Sequence, residues 1–102
     1  MAGFAMFQIE ITPEAIDDLR ALKKRERQII FQGIEDQLPH EPALEARNRK
    51  RLRPNQLAEW ELRVERYRVF YDVNDAKGIV KVVAVGFKKG NRLYIQNEEH
   101  RL

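Results

Sequence analysis

Glu61, Arg63 and Arg68 fall on alternate positions of two strand-like runs, WELRV (60–64) and YRVFYDV (67–73). Alternation places the three on one sheet face, because successive side chains of a strand point to opposite sides. Further on, VGFKKGNRLYI (85–95) brings Lys88, Lys89 and Arg92 to a turn that Tyr94 follows closely. These residue types suit a phosphodiester. Cleavage of RNA by its own 2′-hydroxyl needs a base, cations on the phosphorane oxygens and an acid for the leaving oxygen. A guanidinium grips phosphate oxygens in a fork, so Arg63 and Arg68, with Lys88 or Lys89 at the rim, fit the second role. One well-placed donor is worth roughly 3–4 kcal/mol in comparable oxyanion sites. Tyr94, with an ordinary pKa of ~10, needs the cations of KKGNR beside it to act as a base. Glu61 is the alternative base. The competing reading of Glu61 is a salt bridge to Arg63 or Arg68, and the competing partner of Arg68 is Asp72.

The elements that must position these residues follow from hydrophobic periodicity. FQIEI (7–11) alternates and reads as a half-buried strand. Thr12-Pro13 is an N-cap followed by a proline whose missing N–H costs nothing at the first helical position. Glu14, Asp17 and Asp18 suit the start of that helix and Lys23-Lys24-Arg25 its end. Ala15, Ile16, Leu19 and Leu22 form its apolar stripe. A second helix is predicted from about 26 to 38, with Ile30, Phe31, Ile34 and Leu38 buried. Gly33 inside it implies a close approach by a neighbouring element, since glycine there costs about 1 kcal/mol relative to alanine. A short connection makes the two helices an antiparallel hairpin.

Residues 39–59 show no period, and connections of that length in small domains are uncommon. Their centre, RNRKRLRP (47–54), carries Arg47, Arg49, Lys50, Arg51 and Arg53, five cations in seven residues, which suit contact with a phosphate backbone. Three strands follow: 60–64, 67–73 and 79–87, the last apolar on nearly both faces. Glu65-Arg66 suits a primed two-residue turn poorly, so a looser loop is expected between the first two. Trp60, Tyr67 and Tyr71 read as core, His40 and His100 as incidental surface residues. The tail, 96–102, adds edge structure or frays. The fold class is therefore α+β: two N-terminal helices as a hairpin on one face of a mainly antiparallel, about four-stranded sheet in the order β-α-α-β-β-β.

At 102 residues the chain is one domain. It has no cysteine, hence no disulfide framework and no thiolate metal site. No metal and no cofactor are expected. No apolar run approaches the ~20 residues of a membrane span, and MAGFAMF is too short for a secretory leader, so a soluble, cytoplasmic protein is expected, starting at Met1 or Met6. The net charge of +3 is unevenly shared. Residues 1–46 hold five Lys/Arg against nine Asp/Glu, a balance of −4, whereas 47–102 hold fourteen against seven, a balance of +7. A polyanion-facing side is implied.

RLRPNQLAEWELRVERYRVFYDV together with VVAVGFKKGNRLYI resembles the RelE/ParE superfamily, the toxins of type II toxin–antitoxin modules, over about 7–95. The resemblance implies the fold just described and one of two activities. RelE-like members cut mRNA in the ribosomal A site without a metal, stopping translation; ParE-like members poison DNA gyrase. It also implies a cognate antitoxin protein that wraps the toxin in a hetero-oligomer. The family's basic and aromatic positions fall on Arg53, Arg68, Lys88 (with Lys89 beside it) and Tyr94. Well-studied RelE nucleases carry lysines where this chain has Glu59 and Glu61, and no histidine stands beside Tyr94. The activity expected is ribosome-dependent endoribonuclease; the alternatives are gyrase inhibition and a weakened member that mainly binds its antitoxin.

Overall fold

The computed structural model describes residues 6–102. The Met1 start and the MAGFA portion of the N-terminal segment lie outside them. Strand β1 (Gln8–Ile11) leads through Thr12 into α1 (Pro13–Arg20), where the Thr12 hydroxyl accepts the Ala15 N–H at 3.1 Å. Helix α2 (Lys24–Gln37) begins two residues earlier than expected. The reason is Glu26, whose carboxylate accepts the Lys23 N–H at 3.0 Å and so caps the helix from its third position. Then come β2 (Arg49–Arg51), β3 (Trp60–Val64), β4 (Tyr67–Asn74), β5 (Ile79–Lys89), β6 (Arg92–Ile95) and β7 (Glu98–His100).

The sheet runs β2-β3-β4-β5-β6-β7, antiparallel throughout, with β1 parallel to β5. The helix hairpin on one face of a mainly antiparallel sheet is the predicted architecture, with seven strands in place of about four. β4 flanks β5 on one side, from Asn74↔Ile79 to Tyr67↔Phe87. Along the other side β1 pairs with 79–82 and β6 with 87–89, which leaves a gap around Val85. The Asp18 carboxylate of α1, 6% exposed, fills it. One oxygen accepts the Val85 N–H at 3.0 Å and the other the Gln96 side-chain amide at 2.6 Å. Read from sequence as a helix-start residue, Asp18 instead completes a strand edge.

The main core lies between helices and sheet, where Ala15, Leu19, Ile30, Ile34 and Leu38 meet Trp60, Leu62, Tyr67, Val69, Tyr71, Val80, Val82 and Val85. Trp60, Tyr67 and Tyr71 are core, as expected. Ile16 and Phe31, assigned to the buried stripes, lie outward instead, 39% and 40% exposed. Gly33 meets the sheet directly, since a Cβ there would sit 2.5 Å from a Val64 methyl. On the other face Phe70, fully buried, is covered by Leu52, Leu57 and Ala58 and joined by Ala84, Leu93 and Ile95. The aperiodic loop is thus a lid over a second, smaller core. Asn55 shapes it, donating to the Arg53 and Ala58 carbonyls and accepting the Leu57 and Ala58 N–H groups at 2.7–3.0 Å.

Candidate nucleic-acid interface

The register divides the predicted site residues between two faces. Glu61 stands opposite Phe70, Arg63 opposite Arg68, and Arg68 opposite Gly86, all on the lid side. Lys88 pairs with Leu93 on that same side. Tyr94 pairs with Phe87, and their rings stack at 5.5 Å with an interplanar angle of 19°. Phe87 packs on the helix-side core. Tyr94 is therefore on the opposite face from Arg63, Arg68 and Lys88, and the structure does not bring this candidate base to the proposed phosphate ligands.

The β3–β4 connection also differs from expectation. It is a tight two-residue turn in which Glu65 holds a left-handed φ of 54°, a conformation that costs a non-glycine residue about 1–2 kcal/mol. Arg68 offsets that strain. One of its terminal nitrogens donates to the Glu65 and Tyr67 carbonyls, each at 2.9 Å. Its Nε is buried 3.9 Å from Glu61 and has no hydrogen-bond partner. Burial pulls the Arg68 guanidinium below the ordinary arginine value; Glu61 opposes that pull and Arg63 adds to it. Arginine nonetheless stays a cation in proteins. Glu61, 7% exposed, pairs with Arg63 at 3.5 Å as well, so the salt-bridge reading of this residue describes its position. Asp72 accepts the Glu59 N–H at 2.8 Å and is not the partner of Arg68.

A cleft of about 600 Å³ opens on the lid side. Its walls are the β2–lid segment with Lys50, Arg51 and Arg53, the end of β5 with Lys88, and the β6–β7 hairpin with Arg92, Leu93, His100 and Arg101. Glu61 is in the wall, whereas Arg63 and Arg68 are not among the lining residues. Six lysines and arginines against two glutamates make this a polyanion-attracting hollow.

The other predicted cations are placed differently, and Arg51 has further contacts besides its place in the cleft wall. Arg49 binds back to the body, donating to the Leu44 carbonyl at 3.0 Å and the Gln37 side chain at 2.9 Å. Arg47 and Lys89 are exposed and do not line the cleft. Arg51 lies over the Trp60 ring at 5.5 Å while facing Glu59 at 4.0 Å. His100, read as incidental, lines the cleft instead. The signal for it was the two-residue turn Gln96-Asn97, with φ of 50° and 67°, which a sequence places by the asparagine that tolerates such values.

On the helix side a second polar group ties α2 to the β3–β4 turn. Glu26 accepts from the Tyr67 hydroxyl at 2.8 Å and from Arg66 at 3.0 Å. Those bonds, with the Lys23 N–H the largest contributor, lower its pKa to about 2. Arg66 covers the rings of Tyr67 and Phe87 at 5.4 and 5.3 Å.

The fold, a helix hairpin on an antiparallel sheet, is shared with solved toxin–antitoxin complexes. The toxin–antitoxin complex RelBE2 from Mycobacterium tuberculosis superposes with a TM-score of 0.73 at 23% identity, covering 86% of this chain and 98% of that one. The archaeal RelE–RelB complex from Pyrococcus horikoshii OT3 gives 0.64 at 21% identity, over 83% and 97%. The intact E. coli RelBE complex gives 0.54 at 24%, over 83% and 99%. No curated protein matches the sequence significantly. A family profile described as the ParE toxin of type II toxin–antitoxin systems, parDE, matches residues 9–91. The chain belongs to this family and is a type II toxin of the RelE/ParE superfamily.

Proposed function

We propose that this toxin acts on RNA, as a ribosome-dependent mRNA endoribonuclease that stops translation, and that a cognate antitoxin protein neutralises it in a hetero-oligomer. The observation that carries the reading is the cleft, whose cations converge from three separate segments of chain. Lys50, Arg53 and Lys88 would hold the phosphate backbone and stabilise charge on the phosphorane oxygens. The fold likeness to toxins solved with their antitoxins supports the partner. Arg63, Arg68 and Glu61 support the site from behind and beside it, and Tyr94 takes no direct part.

A second reading is gyrase inhibition through protein contact. Glu61 favours it, because it puts a negative charge between two arginines beside the cleft where well-studied RelE nucleases carry a lysine. One experiment separates the two. Purified toxin is added to ribosomes programmed with a defined message, and mRNA ends are mapped, while a parallel reaction scores gyrase-linked DNA breaks. New mRNA ends at the A site support the nuclease. Intact message with gyrase-linked breaks overturns it in favour of the second reading.

A further inference from the structure

The cleft needs a group that can move a proton, and the obvious candidates are engaged elsewhere. Tyr94 is on the other face, stacked on Phe87. Glu61 is held by Arg63 and Arg68. Glu99 faces Arg92 at 3.9 Å. His100 remains. It lies beyond residue 91, where the family match ends, on a hairpin that extends the sheet.

Its placement is well defined. β6 pairs Lys88 with Leu93, and β7 pairs Leu93 with His100, so Lys88, Leu93 and His100 form one lateral row on the cleft face. Neighbouring strands are ~4.8 Å apart, which separates the Lys88 and His100 backbones by roughly 10 Å, with buried Leu93 as the floor between them and both side chains lining the cleft. The hairpin is anchored by the Gln96–Asp18 bond and by the absence of a side chain at Gly86, where a Cβ would collide with the Tyr94 carbonyl oxygen. The imidazole is half-buried and makes no hydrogen bond or ion pair with the described residues.

We infer that His100 is the proton-transfer residue of the cleft, acting on the 2′-hydroxyl of an RNA strand whose scissile phosphate lies against Lys88; this rests on the nuclease reading. The neutral imidazole takes the 2′-hydroxyl proton as the O2′–P bond forms. The P–O5′ bond breaks, and O5′ takes a proton from water. The imidazolium returns its proton to the hydroxide so produced. The products are a 2′,3′-cyclic phosphate and a 5′-hydroxyl, and no proton is gained or lost overall. Histidine suits the role because its unperturbed charge change falls near neutrality.

The test compares wild type with His100→Ala on programmed ribosomes, with and without added imidazole, and measures binding of each to a short oligoribonucleotide. General acid–base groups contribute 10²–10⁴-fold, so cleavage by His100→Ala should fall by about that factor, with binding changed less than about twofold and free imidazole restoring part of the rate. Thermal unfolding of the variant should match the wild type, and His100→Gln, which keeps a polar planar group at the edge, should be equally slow. A variant that cuts at the wild-type rate overturns the inference alone. So does a variant that is slow because it no longer binds RNA and that imidazole does not rescue. A wild type that leaves the message intact overturns the nuclease reading, and the role of His100 with it.

Discussion

Arg68 shows how far a residue can be read from its neighbours in sequence. Alternation assigned it to the correct face, beside Arg63 and Glu61, and the salt bridge of Glu61 was legible from the same pattern. Alternation carries no information about depth. The tight turn at Glu65 reaches Arg68 from outside its strand and ties its guanidinium to the Glu65 and Tyr67 carbonyls. Arg68→Ala should therefore destabilise the fold by roughly 1–3 kcal/mol, the cost of leaving buried polar groups without partners. Urea unfolding at unchanged slope measures this, and an unshifted midpoint would show that Arg68 does not hold the turn. Glu26 offers a second residue-scale test. Its pKa falls from 4.5 unfolded to about 2 folded, so its stabilisation is complete above pH 4.5 and is lost as pH drops through the window down to 2. The stability gap between wild type and Glu26→Gln should shrink across that window, as followed by denaturant titrations at several pH values.

Among the elements, the longer ones declared themselves. The strands at 60–64, 67–73 and 79–87 and both helices carry enough periodic positions to stand out, and the proline and threonine before α1 mark its start. β2 and β7 have three residues each, too few to show any period. What positions them is non-local: β2 exists because β3 lies beside it, and the β6–β7 hairpin is tied to α1 by one carboxylate. Asp18→Ala should cost roughly 1–3 kcal/mol, since the Val85 N–H loses its acceptor in a buried place. Asp18→Asn keeps one acceptor oxygen and should cost less. Equal losses in thermal unfolding would mean that the carboxylate's two bonds do not explain its burial.

For the whole molecule, the charge asymmetry read from sequence becomes a geometric one. The acidic first 46 residues supply β1 and the helices behind the sheet, while the basic remainder rims the cleft on the lid side. Binding of single-stranded RNA should be steeply salt-dependent, with about 0.7 in logarithmic slope for each phosphate neutralised. Lys50→Ala and Arg53→Ala should each lower the slope by about that amount, whereas Arg47→Ala, outside the cleft, should leave it unchanged. Fluorescence anisotropy against potassium chloride concentration reads all three. A uniform response of the three would detach binding from the cleft.

The two cores have different reach along the chain. None of the buried residues of the helix-side core lies beyond Val85, and its packed fringe ends at Phe87. The smaller one needs Leu93 and Ile95 from the last hairpin. The larger body is therefore expected to assemble before the hairpin docks, and the hairpin to open without melting it. Amides of β6 and β7 should exchange with solvent deuterium through local openings, at a lower free energy than those of β4 and β5. The cleft would then exist only while the hairpin is closed, so on the nuclease reading a partner that holds the hairpin open would silence the toxin without covering the cations of β2 and the lid.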